Sequence, residues 1–591
     1  MRYFFSGMII LIIGCFLVLP VMALYMYITY KSSFVGSALL AQDLSLATER
    51  ALTAIKYQLN YKEIFSVLLV SFSIPSIGLV VLLSQSQNSK DAASARWATY
   101  SDIKKMGFFG NGELIFGRFG GFLVKHPTKK HRDPRTGKME RSKFFVGGRY
   151  MTHPKNAHAF VIGPPSAGKG SGLIIPALHT WPYSAIVLDI RGETFEATVN
   201  HRSHFSNIYK LAPLSLQSHR YNPLDFVRPE AGFREQDITE IAEAIIPVRE
   251  GTDSYWGGAA RIFLSGVISL VLEGQDFWEN KTRNMASVME VVQGDADVIA
   301  LLQEILRLEI ANVSDFTHRS LKQFLSMPAA QFSGVHGHLS NALKPFQNTL
   351  VQAATSQSDF DIRLFKKQCQ TVYIDFRGGE AETFAPIANV LISQTASIIS
   401  RSTLSENERP VLMLLDEFSN LGHLKPILTL FKTLGGYGAS IWIFVQSIAD
   451  LDKSYGRDGR TTLLDSSDLQ IFMGAQNPSS LQHFESLLGK RTVQRVSKTS
   501  GTSNNIQLSD QIVPLMSQDE LRLLSPEDIV ILPQNQLPIK TKRNFWFADR
   551  DLIKKARITA KRPIIIPDNT GFYQRSSYID DIISGLETPE K

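Results

Sequence analysis

Cysteine is nearly absent from this chain: there are two in 591 residues, Cys15 and Cys369. Cys15 lies in an apolar run and Cys369 just before a β-branched segment, so no disulfide framework organises the fold, and the bulk of the chain suits a reducing cytoplasm. Clustered metal ligands are missing as well. His201 and His204 have a ligand-like spacing, yet no cysteine or carboxylate cluster stands beside them, which argues against a metal held by these residues. Strong charge of one sign is missing: the net charge of +7 permits nucleic acid or anionic lipid as a partner and demands neither.

Charge is absent altogether from two stretches, residues 3–30 and 64–83. Crossing ~30 Å of hydrocarbon takes about 20 residues, so both are long enough, and Pro20 and Pro75 are tolerable inside such spans. A cleaved signal peptide has a shorter apolar core and no second span behind it. From residue 86 to 150 there are 14 Lys/Arg against 5 Asp/Glu, which places that side in the cytoplasm. The expectation is a two-helix transmembrane hairpin over 1–85 with a short periplasmic loop. It anchors the chain in the bacterial inner membrane with Met1 and the bulk inside. The segment 86–150 is then basic and membrane-proximal. Its crowded part, with Lys129, Lys130, His131, Arg132, Arg135, Lys138, Arg141 and Lys143, reads as a solvated loop drawn to anionic head groups or as a DNA-contacting collar.

What is present begins with Phe160-Val161-Ile162, followed by Gly163-Pro164-Pro165-Ser166-Ala167-Gly168-Lys169-Gly170-Ser171 and an apolar stretch from Leu173. An apolar strand, a Gly-rich loop closing on Gly-Lys, and a helix form the context of a phosphate-binding P-loop. Glycines let successive N–H groups face an anion, and the helix start adds partial positive charge. Lys169 is placed to reach the β- and γ-phosphates. Gly170 stands where a Ser or Thr usually supplies a Mg²⁺ ligand, and Ser171 is one residue late. Such a loop can also be a plain turn.

A second motif argues against the plain turn. Val411–Leu415 is a continuous apolar run ending in Asp416-Glu417. Such runs suit parallel strands covered on both faces, and their C-terminal ends form the ligand edge of an α/β sheet. Asp416 is expected to hold Mg²⁺ and Glu417 to orient the attacking water. A third strand, Ile441–Val445, ends at Gln446, placed to sense the γ-phosphate. The cofactors implied are ATP and Mg²⁺.

Strand signals recur at His158–Ile162, Ala185–Asp189, Val372–Phe376, Val411–Leu415, Ile441–Val445 and Leu469–Met473, several of them separated by helical patterns. The pattern predicts a doubly wound parallel sheet. A long helical interval interrupts it. Ile238, Ile241, Ala242 and Ile245 follow helical spacing, and Arg261–Leu272, Val298–Leu308 and Leu339–Leu350 read as further helices. From Glu235 to Lys344 there are 15 acidic and 8 basic residues, a balance that suits protein contacts better than phosphates. Near the end, nine basic residues from Lys540 to Arg562 surround Phe545-Trp546-Phe547. Asn544–Ala548 reads as a strand with its aromatics in the core, or as a base-stacking platform. The stretch Ser497–Asn505 is a flexible loop by composition.

Together these residues resemble the type IV secretion coupling proteins of the TraG/VirD class, over nearly the whole chain. The similarity rests on the loop form Gly163–Gly170, on Val187-Leu188-Asp189-Ile190-Arg191-Gly192-Glu193, and on Asn222-Pro223-Leu224-Asp225. It rests also on Tyr255-Trp256, Asp416-Glu417-Phe418, Tyr437-Gly438, Gln446-Ser447 and Tyr455-Gly456. The family normally has Lys where Arg191 stands. The resemblance implies a RecA-like P-loop NTPase domain at 151–230 and 351–565, an inserted all-α domain at 231–350 and a C-terminal tail at 566–591. It further implies a homo-hexamer that delivers DNA–relaxase complexes or effector proteins to a type IV secretion channel. Related hexameric motors often place an arginine between the acidic and Gln strands. None occurs from Lys425 to Val445, so either Arg457, Arg460 or Arg491 substitutes or the trans contribution is weak. The rival readings are an FtsK- or HerA-like DNA translocase and a nucleotide-binding scaffold with little turnover.

Overall fold

The computed structural model describes residues 93–572, except 111–112, 133–138, 154–156, 248–253, 274–282, 294–298, 301, 304–312, 377–380, 425–426, 429–430 and 500–504. The expected transmembrane spans, Arg135 and Lys138, most of Val298–Leu308, and residues 573–591 of the C-terminal tail lie outside the described residues. Residues 95–491 and 513–572 belong to one compact unit, and 492–512 belong to a second.

The large unit is built on one 11-stranded sheet. In chain order its strands are β1 (Ile115–Arg132), β2 (Met139–Thr152), β3 (Ala159–Ile162), β4 (Ala185–Leu188), β5 (Asn207–Leu211), β6 (Gln370–Ile374), β7 (Val411–Leu415), β8 (Ala439–Val445) and β9 (Leu469–Phe472). Strands β10 (Lys490–Thr499) and β11 (Asn505–Pro514) pair only with each other, and β12 (Asp528–Pro533) and β13 (Ile539–Lys542) complete the large sheet. Its order is β2-β1-β13-β12-β9-β3-β8-β7-β4-β6-β5.

From β9 to β5 every pair is parallel. The six strands expected from the sequence all lie in this parallel part, but the sheet as a whole is mixed, because four further strands extend it. β12 runs antiparallel to β9, and β13, β1 and β2 continue antiparallel. Chain length accounts for two of these pairs, β12 with β13 and β1 with β2: each is joined by a short connection, and a parallel partner needs a crossover of a dozen or more residues. The basic stretch from His126 to Lys143 is likewise not a plain loop. Its described parts are the outer halves of β1 and β2, a long ribbon in which Lys125 faces Lys143 and Lys130 faces Arg141.

Strands β3, β4, β6, β7 and β8 are buried at every position. Alternate side chains divide between two cores, as the two-residue period of a strand requires. Phe160, Ile162, Met413 and Ile443 enter one core, and Val161, Leu412, Leu414 and Trp442 enter the other. Both faces are therefore covered, and the strands read as unbroken apolar runs.

The interval between β5 and β6 is helical wherever regular structure is described. It contains the helices Phe233–Ile245, Ser254–Glu273, Met285–Gln293, Asp315–Leu325, Ala329–Leu343 and Thr349–Ala354. Ile238, Ile241, Ala242 and Ile245 are buried in the same core as one face of the sheet. The single helix expected over Leu339–Leu350 is broken: α-helix ends at Leu343, a 3-10 turn spans Lys344–Gln347, and a new helix begins at Thr349. Pro345 lacks the N–H that would continue the ladder. Among the described residues two helices are long and apolar enough to cross a membrane, Tyr255–Glu273 and Thr383–Ser400, and both are mostly buried inside the protein.

Candidate nucleotide-binding site

The site forms where β3, β8 and β7 end side by side. The loop leaving β3 is tied to its neighbour by Gly163 N–H donating to the Val445 carbonyl at 3.1 Å. It turns through two left-handed residues, Ser166 at φ 62° and Gly168 at φ 82°. A Cβ at Gly168 would lie 3.2 Å from both the Phe545 ring and Ser171 Oγ, so conformation and crowding both demand glycine there. A wide helical turn over Gly170–Ile174 follows and leads into the helix Ile175–Thr180. The loop thus brings the backbone of Ser166–Ser171 to one concave surface, the placement that anion binding at a helix start uses.

Lys169 extends from this loop and is 6% exposed. Its Nζ donates to Glu417 Oε1 at 3.0 Å and lies 3.9 Å from Asp416 Oδ1. The other carboxylate oxygen of Glu417 accepts from Gln446 Nε2 at 2.9 Å. Three strand ends thereby join into one chain, Lys169–Glu417–Gln446. Glu417 reaches into it from a left-handed backbone at φ 52°, a conformation costing a non-glycine residue about 1–2 kcal/mol. Strain of this kind persists where the surroundings impose it. Burial pushes the Asp416 carboxyl up to about 6; Lys169 pulls against that shift and Glu417 adds to it.

These groups open onto a cavity of about 890 Å³. Ser166, Ala167, Gly168, Lys169, Gly170 and Ser171 line it, together with Asp416 and Glu417. Gly163, Pro164 and Pro165 form the exit of β3 and do not line it. Gln446 is also absent from the lining, and in this structure its side-chain amide donates to Glu417. Ser171 is the P-loop hydroxyl nearest in sequence to the missing one; it lines the cavity, with Oγ 3.4 Å from the Gly168 carbonyl.

Two parts of the lining were not among the site residues expected from the sequence. The first follows β4: Asp189, Arg191, Glu193 and Thr194. Asp189 is buried and accepts from the Phe195 N–H at 2.8 Å, and burial raises its carboxyl. Its signal was the same as that of Asp416, an apolar strand ending in a carboxylate. The second is Trp546, Phe547, Ile553, Ala556 and Arg557. Asn544–Ala548 is not a strand. Its aromatics precede or enter a short 3-10 turn, Trp546–Ala548, and Phe547 is 45% exposed. No local pattern separates aromatics that face a cavity from aromatics that fill a core.

Arg543 ties that C-terminal segment to the P-loop. It is 2% exposed, and its guanidinium donates to the carbonyls of Ala167, Met473 at 2.5 Å and Asp528 at 3.0 Å. Burial lowers its pKa to about 10, against the pull of Asp528. Arg543→Met keeps much of the aliphatic stem and strips these carbonyls of their donors. Each buried acceptor left unpaired costs about 1–3 kcal/mol. We expect a melting temperature lower by several degrees and weaker nucleotide binding, both readable in one thermal denaturation series with and without ATP.

His201 and His204 reach different backbone carbonyls. His201 Nε2 lies 3.2 Å from the His179 carbonyl oxygen, and His204 Nε2 lies 2.9 Å from the Thr559 carbonyl oxygen. Among the described residues no group of three or more His, Cys, Asp or Glu side chains has metal-binding geometry. The donor set at the P-loop does fit Mg²⁺, which takes one or two carboxylates and leaves its remaining positions to phosphates and water. Asp416 and Ser171 are two of the hard oxygen groups that line the cavity there.

The profile described as "Type IV secretory system Conjugative DNA transfer" matches residues 96–565. Protein VirD4 of Rhizobium rhizogenes is 28% identical over 499 residues, covering 81% of this chain and 69% of that protein. Conjugal transfer protein TraG of Escherichia coli is 25% identical over 522 residues, 79% of each. The plasmid coupling protein TrwB, solved with ADP and Mg²⁺, has a TM-score of 0.54 at 15% identity and covers 78% of this chain and 99% of its own. TrwB has also been solved with non-hydrolysable GTP and ATP analogues. At this identity the likeness carries the fold alone, a P-loop domain on a mixed α/β sheet.

Proposed function

Since this chain belongs to the type IV secretory system conjugative DNA transfer family, we propose that it is the coupling ATPase of such a system. In this reading it is anchored in the inner membrane by residues 1–85, works as a homo-hexamer, and delivers DNA–relaxase complexes or effector proteins to the secretion channel. The helical interval 231–350 is its inserted all-α domain. The observation that carries the catalytic part is the Lys169–Glu417–Gln446 chain at the mouth of the 890 Å³ cavity.

The residues divide the work as follows. The backbone of Ser166–Ser171 receives the phosphates. Lys169 exchanges its Glu417 contact for the β- and γ-phosphate oxygens, which frees Glu417 Oε1 for the attacking water. Gln446 holds the other oxygen of Glu417, so the carboxylate is oriented before water arrives. Asp416, with Ser171 as the available hydroxyl, would hold Mg²⁺, which when bound neutralises charge on the phosphate oxygens. Positioning and charge stabilisation supply the rate in phosphoryl transfer. A trans-acting arginine comes from Arg457, Arg460 or Arg491. Arg460 already pairs with Asp452 at 2.8 Å, which favours the other two.

The test is ATP turnover by the full-length protein in detergent, with and without DNA. Turnover above background that rises with DNA supports the coupling-motor reading. ATP binding with no turnover under either condition leaves a nucleotide-binding scaffold. Turnover driven by DNA in cells where loss of the protein leaves secretion and conjugation intact indicates a translocase of another kind.

A further inference from the structure

The nucleotide cavity has two chemical halves. One is polar: the P-loop, Lys169, Asp189, Asp416 and Glu417. The other presents Ile175, Ala197, Trp546, Phe547, Ile553 and Ala556. Phosphates and a hydrated cation belong to the first half. Apart from Arg557, which lines the same part of the cavity, the second offers them no charge, and it leaves large aromatic surface accessible. Phe547 is 45% exposed and packs edge-on to Trp546 with ring centroids 6.1 Å apart, while Phe545 stacks on it at 5.3 Å with planes 26° apart. Core aromatics of the same domain, such as Phe116 and Phe160, are fully buried.

This aromatic wall is also held in register with the phosphate loop. Arg543 grips the Ala167 carbonyl, and the Phe545 ring limits the space above Gly168. On the far side Asp549 caps the helix Arg550–Ala556 through the N–H groups of Asp551 and Leu552, at 3.0 and 3.2 Å. Asp549 Oδ2 in turn accepts from Arg118 at 2.5 Å and from Tyr150 at 2.7 Å. A segment clamped at both ends, with its exposed rings opening into a ligand-sized cavity, is preorganised for a flat apolar partner.

We propose that Trp546 and Phe547 form a nucleobase clamp, so that the C-terminal segment Phe545–Arg557 supplies the base half of a site whose phosphate half is Ser166–Lys169. This rests on the nucleotide reading of the cavity and adds to it the recognition of the base by ring contact. Every base has a π-face, so stacking tolerates different bases. The clamp therefore makes the site a general purine nucleoside triphosphate site, in which ATP and GTP bind with similar affinity.

The experiment compares a non-hydrolysable ATP analogue, the corresponding GTP analogue and inorganic tripolyphosphate on the full-length protein in detergent. Trp546→Ala combined with Phe547→Ala should weaken both nucleotides about 10-fold or more, the scale of one lost stacking contact, and leave tripolyphosphate unchanged. Trp546→Phe should keep near wild-type affinity and remove a nucleotide-induced change in tryptophan fluorescence that tripolyphosphate does not cause. Equal loss of nucleotide and tripolyphosphate in the double variant would show a structural role only and overturn the clamp, as would unchanged nucleotide affinity. A strong preference of the wild type for one purine would overturn recognition by stacking. The phosphate site is checked separately: if Lys169→Ala bound tripolyphosphate as the wild type does, the reading of the P-loop itself would fail.

Discussion

Lys169→Ala is expected to lower ATP hydrolysis by about 10³-fold or more, the scale of losing a preorganised charge aimed at a phosphoryl transition state. Lys169 is the cation within reach of both Asp416 and Glu417, at 3.9 and 3.0 Å. Its removal leaves two adjacent carboxylates facing the place where the β- and γ-phosphates must sit. Binding therefore suffers along with chemistry: an attraction is deleted and an uncompensated repulsion remains. Phosphate release by the purified variant reads the first effect and analogue binding the second. Recovery of the variant in the membrane fraction at wild-type level shows that the defect is not one of insertion. Turnover at the wild-type rate would remove Lys169 from the site.

Glu417→Gln is expected to separate binding from hydrolysis. The substitution keeps shape and removes charge. Its single carbonyl oxygen can accept from Lys169 or from Gln446, but not from both as the carboxylate does now. The amide cannot take a proton from water, and positioned general bases contribute about 10²–10⁴-fold. Hydrolysis should fall by that factor, while ATP affinity holds or rises because Lys169 is released from an ion pair. A single-turnover measurement beside a binding isotherm distinguishes the two. A folded variant unable to bind ATP would assign Glu417 to binding instead of water activation.

The parts of this site that were legible in the sequence are local in the chain. Strands β3, β7 and β8 announce themselves as unbroken apolar runs because each is covered on both faces. Their polar C-terminal residues, Lys169, Asp416, Glu417 and Gln446, then stand out against that background. The C-terminal aromatics did not. Phe545-Trp546-Phe547 has the composition of a buried strand, and nothing nearby records that Arg543 turns back to the P-loop, 376 residues away. The ribbon of β1 and β2 was masked for a different reason. Its outer half is solvated on both sides, so the two-residue alternation that marks a half-buried strand is weak there. The bond from Gln446 to Glu417 was not legible, because a strand end specifies position and not which neighbour the side chain reaches.

The amino-acid sequence by itself determined the make-up of the cavity's polar end: a glycine-rich turn, one lysine and two carboxylates, placed at the ends of strands whose burial dictates their composition. It also indicated the helical character of the chain between β5 and β6, since helical periodicity is a short-range property. Only the tertiary structure decided that four outer strands turn the sheet mixed, that the helical interval shares a core with one sheet face, and that residues 546–557 close the cavity. Those outcomes depend on contacts between segments hundreds of residues apart. Side-chain pattern constrains which face of an element is buried, and leaves open which distant element covers it.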